Sequence, residues 1–327
     1  MARRVRAEAR LRRALVLGAR GFFGRHAVAL LRADGIAAVP VGHDQADVED
    51  RSALRSLVHA NDVLLDTVGP FQRRTHALLD VALERQADLV DLSDSASYAR
   101  SISERSADIA AQGIAVLTGC SAVSAVVATL VRASDVGDPV RVDAWLAPAS
   151  RDTANVATAR SFLASIRSSA MRACEFAPVR GMAVESGLSV QLPAIWPGLR
   201  DAAFWVDPHT LGAGPLLGLA ARSDRARRAL DALVPVGVRL ARLAGTRTGV
   251  FAVRVEGSAG IARWVLSAPR GSYLLALGPA TIAVRRLAAG DREPRGLVPA
   301  DRQVTPDALL AYLDRHGIAV TRNQPSL

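Results

Sequence analysis

Gly18, Gly21 and Gly24 follow directly on the apolar run Ala14-Leu15-Val16-Leu17, and a helical pattern opens within the same residues. A short buried strand that enters a tight turn and then a helix leaves the first N–H groups of that helix unpaired at the tip of the strand. Such N–H groups, at the positive end of the helix dipole, suit a pyrophosphate. Gly18 would make the turn, Gly21 would let backbone approach phosphate oxygens, and Gly24 would let the helix pack on the strand. With Ala19, Arg20, Phe22 and Phe23 they make up a dinucleotide-binding loop. The strand–turn–helix context separates such a loop from a chance glycine triplet.

Further groups fall where a dinucleotide would extend. Arg20, just before Gly21, is placed to reach the 2′-phosphate of NADP. Asp44 argues for NAD, because a carboxylate just after the second strand accepts hydrogen bonds from ribose hydroxyls and repels a phosphate. Both dinucleotides stay open, with the motif position of Arg20 tipping the balance to NADP. His43 could stack on adenine or be an ordinary surface residue. Asp47 could meet the adenine amino group, with Val48 beside the base, or could cap a helix. Thr67-Val68-Gly69-Pro70-Phe71 leaves a buried strand at the switch point of the sheet, where ligands collect, and is expected beside the nicotinamide ribose. Asp91, Ser93 and Asp94 end the next strand and face the same crevice as substrate-pocket candidates, helix capping being their alternative. Cys120 and Ser121 follow the strand after that. Their alternatives are a small buried hydrophobe and a helix cap. No catalytic acid or base can be assigned.

The elements that would hold these residues alternate. Phe23, Ala27, Leu30 and Leu31 share a helical face, and Gly35 ends that helix. Strands are expected at 36–41, 63–68, 89–92 and 114–118, with helices at 52–60, 75–86 and 98–112 between them. That alternation predicts an α/β fold, a doubly wound parallel sheet of the Rossmann type. The run Gly42–Val48 leads straight into a helix, so the third strand of a full doubly wound half is reduced or absent. Beyond Ser121 the alternation fades. A strand at 141–146, a helix at 157–174, a punctuated stretch at 193–215, a helix at 222–243 and a strand at 251–256 suggest an α+β second domain. Trp264-Val265-Leu266 and Ser272-Tyr273-Leu274 flank a Pro269-Arg270-Gly271 turn. Thr305–His316 is a final helix with Thr305 as N-cap, Pro306 at its first position and Gly317 after its last.

Composition narrows the chemistry. The 327 residues carry a net charge of +10 but no lysine, so arginine supplies all the basic charge outside histidine. A lysine Schiff base and a Tyr–Lys acid/base pair are thereby excluded. Two cysteines form no disulfide framework, and the six histidines have no metal spacing. His76, inside a helix pattern, reads as structural. The arginines are spread out and aromatics are few, which argues against a nucleic-acid partner. Arg3, Arg4, Arg6, Arg10, Arg12 and Arg13 cluster as a solvated tail. The uncharged stretch Ala115–Val131 reads as a buried strand and helix rather than a membrane span. A cytoplasmic location is expected, with a small-molecule substrate and a homodimer as one open arrangement.

From these residues the chain resembles the saccharopine dehydrogenase-like oxidoreductases, which include trans-acting enoyl reductases. The resemblance rests on Gly18–Gly24, on the 62–71 run that ends Val68-Gly69-Pro70-Phe71, on Leu89-Val90-Asp91-Leu92-Ser93 and on Val116-Leu117-Thr118-Gly119. Arg295-Gly296-Leu297-Val298 and the helix before Gly317 extend it. It implies a basic tail at 1–13, a dinucleotide-binding domain at 14–121, an inserted α+β substrate or dimerisation domain at 122–286, and a segment at 287–327 that returns to the first domain. It also implies hydride transfer between NAD or NADP and a C=C, C=N or C=O carbon, an enoyl or acyl compound among the candidates. Apolar residues such as Leu188, Ile195, Trp196, Phe204 and Trp205 would suit an acyl chain or an ordinary core. The departures matter too. Family members often carry Gly-Phe-Asp-Ser-Val-Pro where this chain has Gly119-Cys120-Ser121-Ala122-Val123-Ser124. Only Thr158 survives of a Gly-Gly-Thr pattern at 156–158. Lysine-forming saccharopine dehydrogenases use a lysine in acid/base chemistry and this chain has none, so saccharopine itself is not the expected substrate; a dinucleotide-binding sensor or partner subunit without turnover is the alternative.

Overall fold

A computed structural model of the chain describes residues 12–207, 214–291 and 293–323. Arg3, Arg4, Arg6 and Arg10 lie outside the described residues, as does part of the punctuated stretch at 193–215. Among the described residues the strands form two sheets. The first contains β1 (Ala14–Leu17), β2 (Ala38–Val41), β3 (Val63–Asp66), β4 (Asp88–Asp91) and β5 (Ala115–Leu117), in the spatial order β2–β1–β3–β4–β5. The short strand Gly296–Leu297 lies beyond β5, and all the pairings are parallel.

Side-chain alternation explains why both faces of this sheet are covered. Ala14, Val16, Val63, Leu65, Val90 and Leu117 point to one face, where the helices Phe22–Ala33 and Tyr273–Ala288 bury Ala27, Leu31, Ala280 and Val284. Leu15, Leu17, Leu64, Leu89 and Val116 point to the other, against Leu54, Leu78, Tyr98, Ile102 and Ile109. Strands buried on both faces need apolar residues at nearly every position, which is why they read as continuous runs. The sheet is therefore doubly wound. Only the helix Arg51–Leu57 separates β2 from β3, and β2 is an edge strand. The compression of the run after Val41 is real.

The second sheet is mixed. Its strands include β6 (Pro139–Ala147), β7 (Ile166–Ala173), β8 (Arg180–Val184), β9 (Asp201–Val206), β10 (Gly249–Gly257) and β11 (Gly260–Ala268). The strand Ala319–Asn323 adds antiparallel to β11, and β6 pairs parallel with β9. One face packs Val142, Phe204, Phe251, Val253, Trp264 and Leu266 onto Val126, Leu130, Leu192, Leu309 and Leu313.

Several expectations are corrected. The helix expected at 157–174 stops at Ser165, and the rest is β7. Pairing of Ile166 and Met171 with Val184 and Met182 of β8 overrides a weak local pattern. The helix expected at 98–112 is two, Ala96–Ser103 and Ser106–Gln112. Between them Arg105 turns to pair with Asp80 at 3.1 Å and Asp108 at 2.6 Å. Ser272-Tyr273-Leu274, beyond the turn at 269–271, opens a helix that the pattern left unassigned, Tyr273–Ala288. That helix lies between both cores, with Leu275 and Ile282 in one and Leu277 and Leu287 in the other. A helix apolar on two sides lacks the 3.6-residue signal of an amphipathic one.

The ends of the chain also differ from expectation. Arg12 and Arg13 are not part of a solvated tail. Arg12 pairs with buried Asp88 at 2.5 Å and Arg13 with buried Asp62 at 2.6 Å, which fastens the N-terminal edge of the first sheet. The segment after residue 286 is shared: Gly296–Leu297 joins the first sheet and Ala319–Asn323 the second. The final helix, Pro306–Arg315, has the expected Thr305 cap, whose hydroxyl accepts from the Ala308 N–H.

Candidate functional site

At the C-terminal end of β1 the chain turns at Gly18, whose φ of +76° is a left-handed conformation that glycine adopts without strain. A Cβ at Gly18 would stand 2.7 Å from Val68 Cγ2, and one at Gly24 would stand 2.2 Å from the Gly18 carbonyl oxygen. The loop thus sits tight against the end of β3, and the helix Phe22–Ala33 tight against the loop. Gly21 is the N-cap of this helix and supplies no side chain to its first turn. The first-turn N–H groups keep their capacity to bind an anion. Ala19 is buried, Phe23 packs into the first core, and Phe22 joins a ring cluster with His26 and Tyr273. The glycines form a cradle that side chains would fill, and it fits a pyrophosphate.

Arg20 and Asp44, which point to different dinucleotides when read separately, are one ion pair. Arg20 Nη2 lies 2.7 Å from Asp44 Oδ2, and both are well exposed. Gly42 lets the pair approach the backbone, since a Cβ there would come 2.5 Å from Asp44 Oδ1 and 3.0 Å from Arg20 Nε. His43 is exposed and lies 3.8 Å from Asp47. Asp47 does not cap the next helix; its Oδ1 accepts from the Glu49 N–H, and Asp50 is the cap. Val48 is buried in the first core.

The segment Thr67–Phe71 leaves β3 beside this loop. Thr67 donates from both its N–H and its Oγ1 to the Leu17 carbonyl, at 3.2 and 2.6 Å. Val68 N–H donates to Asp66 Oδ1. Gly69 has open space at its Cβ position, Pro70 precedes a single 3₁₀ turn, and Phe71 is buried against Tyr98. The segment is held from below by Arg74, whose side chain is 5% exposed. Arg74 Nη1 donates to the Val68 carbonyl at 2.9 Å and lies 2.9 Å from Asp66 Oδ2, while Nε reaches Glu49 Oε1 at 2.6 Å. Glu49, Asp66 and Arg74 carry no motif that marks them in the sequence. The one hint was an aspartate inside an apolar strand, which needs a partner when buried.

The substrate-side candidates divide into two groups. Asp91 is fully buried, and its Oδ1 accepts from the Ser93 and Gly119 N–H groups at 2.9 and 2.8 Å. It fastens the end of β4 to the turn after β5. Burial pushes its carboxyl up to about 6 against the pull of those two N–H groups. Ser93 accepts from the Ser95 N–H, and Ser95 caps the helix Ala96–Ser103. Cys120 is fully buried, and burial drives its thiol well above the ordinary range, so it offers no thiolate. Ser121 is buried at the start of a π-helical turn over Ala122–Val126 and makes no capping bond with its side chain.

Asp94 belongs to the second group. Its Oδ2 accepts from Ser161 Oγ at 3.0 Å, and Ser161 also accepts from Gln72 Nε2 at 3.2 Å. Ser161 stands on the helix Val156–Ser165 of the second unit, and Gln72 follows the Phe71 turn. The Asp94 carbonyl accepts from the Gly187 N–H. Burial raises the Asp94 carboxyl and the Ser161 hydroxyl offsets it. This trio bridges the two units at the C-terminal side of the first sheet. Gln72 and Ser161 were not expected as members. Gln191 and Gln303 bridge the same junction by donating to the Thr118 carbonyl, each at 2.9 Å.

The apolar residues that could have suited an acyl chain are otherwise employed. Leu188 and Phe204 are buried in the second core, Ile195 and Trp196 pack against it, and Trp205 lies on the far face of the sheet with Trp145. A surface hollow of about 460 Å³ lined by Ala60, Glu84, Arg85 and Gln112 opens at the opposite edge, before β3, β4 and β5 begin. Among the described residues no group of His, Cys, Asp and Glu could hold a metal ion, and no helix is long and apolar enough to cross a membrane.

These features define a two-sheet α/β protein with a glycine cradle at the C-terminal edge of a doubly wound parallel sheet. No family model matches the chain, and no curated protein does. Solved structures similar along their whole length include GenD2 from gentamicin A biosynthesis in complex with NAD, at 12% identity over 100% of both chains with a TM-score of 0.43. UDP-N-acetylglucosamine 3-dehydrogenase GnnA from Acidithiobacillus ferrooxidans is 12% identical over 92% of this chain and 95% of its own, with a TM-score of 0.41. The WlbA (WbpB) dehydrogenase from Thermus thermophilus, in complex with NAD and UDP-GlcNAcA, is 12% identical over 97% of each chain, with a TM-score of 0.38. A likeness this distant carries no argument about chemistry.

Proposed function

We propose that the chain is an NAD(P)-dependent oxidoreductase of the saccharopine dehydrogenase-like type. The observation that carries this reading is the Gly18–Gly24 cradle: a left-handed turn at the tip of β1, followed by a helix whose first N–H groups have no side-chain cap. Gly18, Ala19, Arg20, Gly21, Phe22, Phe23 and Gly24 would hold the pyrophosphate, and the Arg20–Asp44 pair would meet the adenosine ribose. Asp47 and His43 lie on the rim beyond it. Thr67–Phe71, fixed by Arg74, would flank the nicotinamide ribose at the switch point. Bound there, a nicotinamide dinucleotide supplies a hydride to, or takes one from, a C=C, C=N or C=O carbon.

The Arg20–Asp44 pair shifts the cofactor balance. A carboxylate already occupies the guanidinium that a 2′-phosphate would need, and Asp44 remains free to accept from ribose hydroxyls. We infer NAD as the preferred dinucleotide. Asp94, Ser161 and Gln72, joined by hydrogen bonds across the two units, would position a small substrate and hold a proton near it. Titration of the purified chain with NADH and NADPH tests the reading. Binding of either is expected, with NADH the tighter. A folded sample that ignores both at about millimolar concentration refutes it. The second reading, a dinucleotide sensor without turnover, is favoured by Asp91 and Cys120, both locked into the fold. It predicts tight binding with no absorbance change at 340 nm across a panel of carbonyl, imine and enoyl acceptors.

A further inference from the structure

The exposed large apolar side chains of the described residues are confined to one place. Leu233, Val236, Leu240 and Leu243 stand on the helix Asp224–Ala244, and Leu219 on the helix before it, each 52–74% exposed. The spacing i, i+3, i+7, i+10 puts the four on one stripe. The helix already has an inward face, where Val238 is buried and Leu230 and Val234 pack beside Leu163, Ile166 and Met182. The outer stripe is therefore surplus to folding.

Charge says what the stripe would meet. Arg225, Arg228 and Arg239 are exposed, and at 100° per residue they fall along the Leu243 edge of the stripe, whereas Arg242 turns away and donates to the Ala154 carbonyl. Its two acidic residues are engaged: Asp224 with Arg227 at 3.5 Å and Asp231 with Arg160 at 3.2 Å. A second copy docked about a two-fold axis would set these arginines against their own counterparts, with no free carboxylate on the stripe to separate them. An anionic phospholipid surface satisfies both features, since the leucines enter the acyl boundary and the guanidinium groups meet lipid phosphates.

We propose that the helix Asp224–Ala244 docks the protein peripherally on anionic phospholipid bilayers. The helix lies in the interface and does not cross it. It packs directly on the helix Val156–Ser165, which carries Ser161, so the docked side of the molecule neighbours the Asp94–Ser161–Gln72 trio. The proposal does not depend on the dinucleotide reading.

Flotation of the full chain with vesicles tests it, using phosphatidylcholine alone and phosphatidylcholine with about a third phosphatidylglycerol. The wild type is expected to float with the anionic vesicles and not with the neutral ones. Leu240→Asp together with Leu243→Asp should weaken this binding at least about ten-fold, because both side chains would otherwise be buried in lipid. Arg228→Glu together with Arg239→Glu should weaken it by about five-fold or more per position. Both leucines are more than half exposed, so circular dichroism and the melting temperature should be unchanged in that variant. Wild-type protein left unbound by anionic vesicles overturns the proposal, as does binding that survives both double variants. So does light scattering that finds a dimer split by the leucine variant, which would make the stripe a contact between copies.

Discussion

Replacing Asp44 by alanine should turn the cofactor preference toward NADPH, and the size of the change follows from the geometry. Asp44 Oδ2 lies 2.7 Å from Arg20 Nη2, and both side chains are at least half exposed. An ion pair in such a setting contributes only about 0.2–1 kcal/mol, so freeing Arg20 has a small cost. The larger effect is repulsion. A 2′-phosphate bound by Arg20 would stand about 5 Å from the Asp44 carboxylate, where each pair of unit charges interacts by about 0.8 kcal/mol in water. A dianion doubles that to about 1.6 kcal/mol. With the released guanidinium added, the variant should favour NADPH over NADH by about 2 kcal/mol more than the wild type, on the order of 30-fold in the ratio of dissociation constants. NADH should itself bind more weakly, because its ribose loses a charged acceptor. Screening should shrink the shift at high salt, since the Debye length falls to about 3 Å at 1 M. Fluorescence titration with both reduced dinucleotides at two ionic strengths measures all of this. A ratio that stays put, or that moves toward NADH, would show that Asp44 does not face the adenosine ribose.

Three further outcomes are expected. Gly24→Ala places a Cβ 2.2 Å from the Gly18 carbonyl oxygen, so it should cost about 1–3 kcal/mol in urea unfolding and weaken dinucleotide binding; an unchanged midpoint would mean that the loop is looser than it looks. Asp91 has its folded carboxyl raised to about 6 by burial. Its stabilising contribution is therefore present in full below the unfolded value near 4 and is lost as pH rises through 6, a swing of roughly 3 kcal/mol. Asp91→Asn, whose amide oxygen can still accept from Ser93 and Gly119, should flatten the dependence of stability on pH between 4 and 7, and a parallel pH curve for variant and wild type would contradict the cause assigned. Ser161→Ala removes the hydroxyl donor of Asp94 and should lower kcat at least several-fold while leaving dinucleotide affinity within about two-fold. An equal loss of dinucleotide binding would place the trio outside the substrate crevice.

The first sheet was legible because its signals are local. Buried parallel strands read as unbroken apolar runs, and Gly18, Gly35 and Gly113 mark the turns that end neighbouring elements with positive φ. The second sheet was legible only in part. β10 and β6 are long and alternate, but β7, β8 and β9 are defined by pairing across the sheet, which no local pattern encodes. The helix Tyr273–Ala288 was hidden for a related reason, as it touches two cores and has no polar face long enough to set a period. In the site, the glycines, Arg20 and Asp44 were visible as types at motif positions. Their pairing was not, because it depends on Gly42 admitting both side chains to one spot. Ser161 meets Asp94 from a distance of 67 residues in sequence, a contact that only the docking of the two units creates.

The shortened crossover between β2 and β3 does more than remove a strand. With only the helix Arg51–Leu57 between them, the segment that carries Asp44, Asp47 and Glu49 passes close over the end of β3. Glu49 can then reach Arg74 at 2.6 Å and Thr75, while the same guanidinium holds Asp66 and the Val68 carbonyl. The 43–49 segment and the turn after β3 are joined through one buried arginine rather than through sheet hydrogen bonds. A buried guanidinium with two carboxylates and a carbonyl tolerates little displacement, because each lost partner leaves a charge poorly compensated. A ligand that moved the 43–49 segment would have to move the Thr67–Phe71 turn as well. In a full doubly wound half, an additional strand and helix would separate these two segments, and that mechanical link would not exist.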